Sequence, residues 1–341
     1  MKSMKIVVAT LVALVGAHVD AQSMFERFPL RVEPFTTMLL GYKGDLDVCA
    51  FGTASLYFVP TTTNETPGIV SIITAKHNLS DKTTQKPLDG LLVKINMPAT
   101  GKPRFIRVPL KHDEPRNYWC SPAGLDLVAI PLPPEVVDRA DVGTFVERQI
   151  MTPEYAKTNR VVVGCLALSL CMQPEFLDPL DFMTPEIQPT LRVGHLSRFG
   201  FMTMPDGSTA IRPHVIDLHA SPGNSGATVV VMIPRTDRSV SEPSFLGIVQ
   251  GFAEESGSYR PYEAPISNVV KRIDTLSLVT SNGLQTNQVA LSLTAIANPN
   301  LTFVIPVHEL VNLRNSPLYM SAVQMMVANK SKYLILDNIK R

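Results

Sequence analysis

Three short segments carry residue types that together perform acyl transfer. Ile72-Ile73-Thr74-Ala75-Lys76-His77 ends a strand-like run on a histidine, and Gly124-Leu125-Asp126-Leu127-Val128-Ala129-Ile130 opens one on an aspartate. Ser221-Pro222-Gly223-Asn224-Ser225-Gly226 is a serine loop bounded by glycines. A serine hydroxyl alone is too weak a nucleophile at neutral pH to attack a peptide carbonyl. A neighbouring imidazole takes its proton, and a carboxylate behind the ring fixes the tautomer and stabilises the imidazolium that forms. A Gly-x-Ser-Gly string by itself is weak, since roughly 0.1 is expected by chance in a chain of this length. Its weight comes from the histidine and aspartate that precede it.

The elements that must position these residues read as strands. Apolar runs bounded by turn residues cover 53–59, 69–74, 91–97, 105–110 and 126–131, then 161–170, 191–204, 211–218, 227–232, 245–252 and 302–306. Many short strands without helical periodicity between them indicate an all-β sandwich or barrel rather than alternating strand and helix. The 28 prolines against 19 glycines agree, because interior prolines break helices and central strands alike. Loop-rich stretches 133–159 and 173–189 divide the strands into two groups, and Pro205-Asp206-Gly207 suits a hairpin turn. Helical signals gather at the end: 308–313 follows a strand directly, and Ser316-Pro317 reads as an N-cap with proline in the first helical position before 318–327. The polar stretches 234–243 and 280–288 read as surface loops.

Composition bounds the function. With 31 basic and 30 acidic side chains and a formal charge of +1, no basic surplus exists to neutralise phosphates, which argues against nucleic acid. Lys2 and Lys5 precede an uncharged apolar run at 6–17 and then Val19-Asp20-Ala21, the pattern of a secretory signal peptide cut after Ala21. A buried first helix is the alternative. No later run reaches the roughly 20 apolar residues of a membrane span, so a secreted or periplasmic protein is expected. Of four cysteines, Cys165 and Cys171 lie too far apart to bridge along a straight strand. Cys49 with Cys120 is the favoured pair, and four free thiols the alternative. Asn78-Leu79-Ser80 is one of four glycosylation patterns, awkwardly placed beside His77. His214 and His219 are an odd five apart and point to opposite faces of a straight strand. His112, His195 and His308 show no ligand spacing, so neither a metal nor an organic cofactor is expected.

The order His, Asp, Ser along the chain is that of chymotrypsin rather than of subtilisin or the α/β-hydrolases. In these residues the chain resembles the trypsin-like (chymotrypsin-fold) serine peptidases, especially their bacterial HtrA-like branch. Thr74-Ala75-Lys76-His77, Asp126-Leu127-Val128-Ala129-Ile130 and Gly223-Asn224-Ser225-Gly226 match its three motifs. Leu246-Gly247-Ile248-Val249-Gln250-Gly251 is similar to its strand beside the substrate, and Phe303-Val304-Ile305-Pro306 to its strand before the C-terminal helix. The resemblance implies two six-stranded β-barrels with the active site between them. It gives an N-terminal barrel at 37–150, a second at 151–315 and a helical tail at 316–341.

By the same resemblance His77 is the general base and acid, Asp126 its orienting partner and Ser225 the nucleophile. The amides of Gly223 and Ser225 form the oxyanion hole. His219 stands at the floor of the primary pocket, and Gln250 and Gly251 bind the polypeptide substrate. The departures also carry meaning. Asn224 replaces the aspartate of members that need zymogen cleavage, so activity without proteolytic activation is expected. Asn78 and Ser221 stand where family cysteines often lie, and Ala227 replaces a second glycine. A protease-like binding protein that no longer cuts, and an esterase on the same scaffold, are the competing functions.

Overall fold

The computed structural model describes residues 36–44, 47–60, 68–81, 83–96, 103–110, 117–138, 143–159, 161–172, 190–203, 209–218, 220, 223–233, 243–252, 275–280, 283–288 and 301–336. The signal-like segment 1–21, His112, His219, Pro205-Asp206-Gly207 and the stretch 173–189 lie outside them.

The first half contributes β1 (Thr36–Lys43), β2 (Asp47–Val59), β3 (Ile69–Ala75), β4 (Gly90–Asn96), β5 (Pro103–Pro109) and β6 (Leu127–Pro131). The second contributes β7 (Leu166–Cys171), β8 (Thr190–Arg198), β9 (Phe201–Thr203), β10 (Thr209–Ile211), β11 (His214–Asp217), β12 (Thr228–Val231) and β13 (Ser244–Phe252). β14 (Thr275–Thr280), β15 (Gly283–Gln288), β16 (Leu301–Pro306) and β17 (Leu334–Leu336) complete the strands. Helices are short: α1 (Pro134–Val137), α2 (Pro153–Thr158) and α3 (Pro317–Ala328). The chain is mostly β, as its punctuated apolar runs require.

The expectation of two closed barrels holds for one half. β11-β16-β13-β12-β7-β8 form a closed six-stranded barrel. Among the described residues the other half is a seven-stranded sheet in the order β17-β5-β4-β1-β2-β3-β6, with edges that no ladder joins. The reason lies in who occupies each edge. β17 from the C-terminal tail pairs with β5, in the register Leu334 opposite Arg107. On its outer edge β6 takes a single bridge among the described residues, Cys120 exchanging two 2.9 Å backbone hydrogen bonds with Ala129. Side chains close the gap instead: the Tyr118 and Tyr333 rings stand edge-on with centroids 6.2 Å apart.

One apolar core runs under both halves. Ile72, Ile73, Val128 and Ile130 of the open sheet share it with Leu168, Val230, Phe245 and Ile305 of the barrel. Phe145 stacks on Phe245 at 4.3 Å between centroids. Hydroxyls bridge the same seam, Thr228 Oγ1 lying 2.8 Å from Thr36 Oγ1 and 2.6 Å from Ser55 Oγ. β1 was missed in sequence because both its faces are buried: Leu39 faces the main core while Met38, Leu40 and Tyr42 face a second cluster with Phe105 and Met172. Without a polar face there is no alternation to read.

Several expected elements need correction. The stretch 280–288 is not read correctly as a loop: Thr280 ends β14, and Gly283–Gln288 form β15, paired antiparallel with it with Thr280 opposite Gly283. The run 161–170 becomes a strand only from Leu166, because Gly164 at φ 92° turns the chain first. The run 191–204 breaks after Arg198, where Gly200 passes so close to Arg212 that a Cβ would lie 1.9 Å from its carbonyl oxygen. Residues 308–313 form a 3₁₀ rather than an α-helix, spanning His308–Asn315. The favoured Cys49–Cys120 bridge does not form. Cys120 is a buried free thiol, on the far side of β3 from β2; Cys165 and Cys171 are free as well. The capped tail helix is as read: the Ser316 side chain accepts from the Tyr319 amide, and Met325 and Met326 are buried.

Candidate active site

Strand register brings the histidine to the aspartate. β3 and β6 pair antiparallel with Ala75 opposite Leu127, so the residues just past the end of β3 meet those just before β6. The Lys76 amide continues that ladder to the Asp126 carbonyl at 3.1 Å. A 3₁₀ turn at Lys76–Leu79 then lifts His77 over the Asp126 side chain. The two Asp126 carboxylate oxygens divide the work. Oδ1 accepts the His77 backbone N–H at 2.9 Å, and Oδ2 lies 2.7 Å from His77 Nδ1. With the backbone N–H fixing the carboxylate, Nδ1 is held as the protonated nitrogen and Nε2 is left as the base, the tautomer that proton abstraction requires. The His77 side chain keeps 40% of its surface exposed and Asp126 23%, so the ring is reachable while its partner is partly shielded.

The serine arrives from the other half. Between β11 and β12 the chain turns through Gly223 at φ 92° and Gly226 at φ 85°, both in the left-handed region that favours glycine. Gly226 has a second reason: a Cβ there would lie 1.9 Å from the Thr53 carbonyl oxygen. Three consecutive peptide carbonyls of the loop, at 223–225, are bound. Thr53 Oγ1 donates to Gly223 O at 3.0 Å, Ala227 N–H to Asn224 O at 2.8 Å, and Thr53 N–H to Ser225 O at 2.9 Å. With these three carbonyls tied back, the amides of Gly223 and Ser225 have no protein acceptor among the described residues, although Gly223 is buried. Buried unpaired N–H groups are uncommon and mark a place for an anion.

Ser225 Oγ donates to the Gln250 carbonyl at 3.3 Å. Among the described residues no hydrogen bond joins it to His77. Gln250 sits at an irregularity of β13, where the register with β16 slips between Val249 and Gly251. Such bulges re-aim one residue of a strand, here a carbonyl toward the serine. Gly251 follows with open space where a Cβ would be. His219 lies outside the described residues.

Three residues of the site were not read as functional from sequence: Thr53, Thr74 and Asn78. Asn78 is buried at 5% exposure and its Nδ2 donates to Ser225 O at 2.9 Å and to Thr74 Oγ1 at 3.0 Å. Thr74 Oγ1 in turn donates to Thr53 O at 2.8 Å. The glycosylation pattern at Asn78 is therefore closed in the folded chain, its nitrogen being turned inward. Asn224 is also buried and its Nδ2 donates to the Met172 carbonyl at 3.1 Å.

This chain is similar to several solved structures. The MamO protease domain of Magnetospirillum magneticum, in its apo form, shares 12% identity at a TM-score of 0.40, over 82% of this chain and 96% of that one. The serine endoprotease of Yersinia pestis shares 13% at 0.41, over 85% and 65%. The active form of the Rv3671c protease of M. tuberculosis shares 12% at 0.40, over 83% and 80%. No family model and no curated protein matches the sequence.

Proposed function

We propose that this chain is an exported serine endopeptidase, secreted or periplasmic, with Ser225 as nucleophile, His77 as general base and acid, and Asp126 as orienting partner. The observation that carries the reading is the two-point hold of Asp126 on His77, which leaves Nε2 as the free base. In the reaction Ser225 Oγ attacks the substrate carbonyl carbon while His77 Nε2 takes the hydroxyl proton. The oxyanion collects the Gly223 and Ser225 amides. As the C–N bond breaks, His77 returns the proton to the leaving amine, and water then repeats the sequence on the acyl-enzyme. Val249 still exchanges backbone hydrogen bonds with Gly226 and Ala227, and beyond it β13 leaves that segment, which supports reading the backbone at Gln250 and Gly251 as the edge that takes an extended polypeptide as an added strand. His219 belongs to the primary pocket in this reading, and Asn224 permits activity without proteolytic activation.

A second reading has one observation in its favour. Ser225 Oγ bonds to Gln250 rather than to His77, the arrangement of a binding protein that no longer cuts. Catalytic hydrogen bonds also tighten only once substrate is bound, so the same geometry suits a resting enzyme. Fluorophosphonate labelling separates the two: the folded chain is expected to label, and Ser225→Ala to lose the label. A folded wild type that never labels defeats the enzyme reading. Labelling with ester turnover but no cleavage of any peptide in a library would make it an esterase.

A further inference from the structure

The Ser225 carbonyl accepts two donors where one strand amide would satisfy it. Thr53 N–H supplies one at 2.9 Å and Asn78 Nδ2 the other, also at 2.9 Å. The far side of the same peptide is fixed by Gly226 N–H donating to Val249 O at 2.7 Å. The plane that follows the nucleophile is thus held at both edges, and the plane that precedes it, which carries the Ser225 amide, is held by the Asn224 carbonyl accepting from Ala227 N–H at 2.8 Å. The amide orientation of Asn78 is itself set by the network. Thr74 Oγ1 spends its proton on Thr53 O, so it accepts from Asn78, and only the nitrogen end can supply that bond. The cost is visible at the other end: Asn78 Oδ1 is buried with no partner among the described residues. An orphaned buried oxygen is expensive, and such expense is retained where it supports a site.

Space for the amide exists because residue 52 is glycine. A Cβ there would lie 2.7 Å from Asn78 Nδ2 and 2.9 Å from its Cγ. We propose that Asn78 is a positioning residue for the nucleophile loop: seated against Gly52, it locks the Ser225 carbonyl so that the Ser225 amide and hydroxyl face the reacting carbonyl group. This rests on the serine-hydrolase reading of the site. Asn78 touches neither substrate nor the reacting atoms and acts through the backbone of Ser225.

The test compares wild type with Asn78→Ala, Asn78→Leu, Gly52→Ala and the Gly52→Ala/Asn78→Ala double variant. Four quantities are read: the maximal rate of fluorophosphonate labelling, the apparent probe affinity, hydrogen exchange of the amides at 223–227, and the melting temperature. Removing the Asn78 donor is expected to lower the maximal rate about 10- to 100-fold, the scale of a small misplacement of reacting groups. Probe affinity and the pH midpoint of labelling should stay put, because the His77–Asp126 pair is untouched, while the loop amides exchange faster. Gly52→Ala, which leaves Asn78 in place but displaces its amide, should reproduce the loss and add nothing in the Asn78→Ala background. If Asn78→Ala fails to fold, the shape-preserving Asn78→Leu and the Gly52→Ala variant carry the comparison. Unchanged labelling in the folded Asn78 variants, or additive losses in the double variant, overturns the proposal. If wild type does not label at all, the hydrolase reading falls separately, and loop exchange alone then decides: faster exchange in Asn78→Leu upholds the lock, and unchanged exchange overturns it.

Discussion

Asp126 and His77 are joined by two hydrogen bonds from adjacent parts of one residue, and each makes a different demand on mutation. Ser225→Ala or His77→Ala is expected to cost on the order of 10⁶ in peptide turnover. Asp126→Asn should preserve the fold but lose about 10⁴, because an amide can present its N–H to Nδ1 and so place the proton on the wrong ring nitrogen; steady-state kinetics on any cleaved peptide checks both. A different histidine is expected to contribute to acid stability. His214 is buried on β11, its Nδ1 accepting the Gly200 amide at 2.8 Å and its ring enclosed edge-on by Phe199 and Phe201. Burial first, and then the neighbouring His308, push its pKa down to about 3. Above pH ~6.5 the ring is neutral in both states; below it the unfolded chain takes up a proton that the folded chain refuses until about pH 3. Stability should therefore fall as pH drops from ~6.5 toward 3, and His308, depressed mainly by burial, adds in the same direction. In His214→Gln, which keeps an acceptor for Gly200, the pH dependence of the urea midpoint should flatten by up to one proton.

β17 shows how an element far along the chain completes another. It caps the open edge of β5, and Tyr333 just before it reaches across to Tyr118. Tyr333 is 5% exposed, and its hydroxyl has no partner among the described residues; burial holds that phenol well above its ordinary pKa. The ring and the hydroxyl thus have opposite effects. Tyr333→Ala should destabilise by about 3 kcal/mol through loss of the buried ring, whereas Tyr333→Phe should be neutral or slightly stabilising, since it removes an unsatisfied polar atom. Urea unfolding of both variants checks the pair. The same tail anchors through α3, where Tyr319 Oη lies 2.8 Å from Ser71 Oγ on β3, the strand that leads to His77.

Across the whole molecule the open sheet and the closed barrel are not independent. The main core includes residues of both, and the seam is crossed by Phe145 on Phe245, by the Thr36, Thr228 and Ser55 hydroxyls, and by Thr53 on the serine loop. The full chain should accordingly unfold in one transition, with tertiary and secondary probes coincident. A fragment of residues 37–150 alone, lacking both β17 and the barrel face of its core, should show no cooperative unfolding. Two separated transitions in the full chain would refute that coupling.

The motif residues themselves were legible in the sequence because their chemistry is local. A histidine at a strand end, an aspartate at a strand start and a serine between glycines stand out by residue type as candidates for acyl transfer, and punctuated apolar runs announce strands. The antiparallel pairing of β3 with β6 was not legible, yet it alone brings His77 to Asp126. Nor were the partners of Ser225. Asn78 reads in sequence as a glycosylation pattern and Gly52 as one more glycine; only when β2 crosses behind the serine loop does the missing Cβ of one make room for the amide of the other. Sequence determined which groups could do chemistry, since side-chain chemistry is carried by each residue alone. Tertiary structure decided which carbonyls are tied back and which amides are left free, because hydrogen bonds between distant strands depend on register, and register is set only when both halves pack on one core.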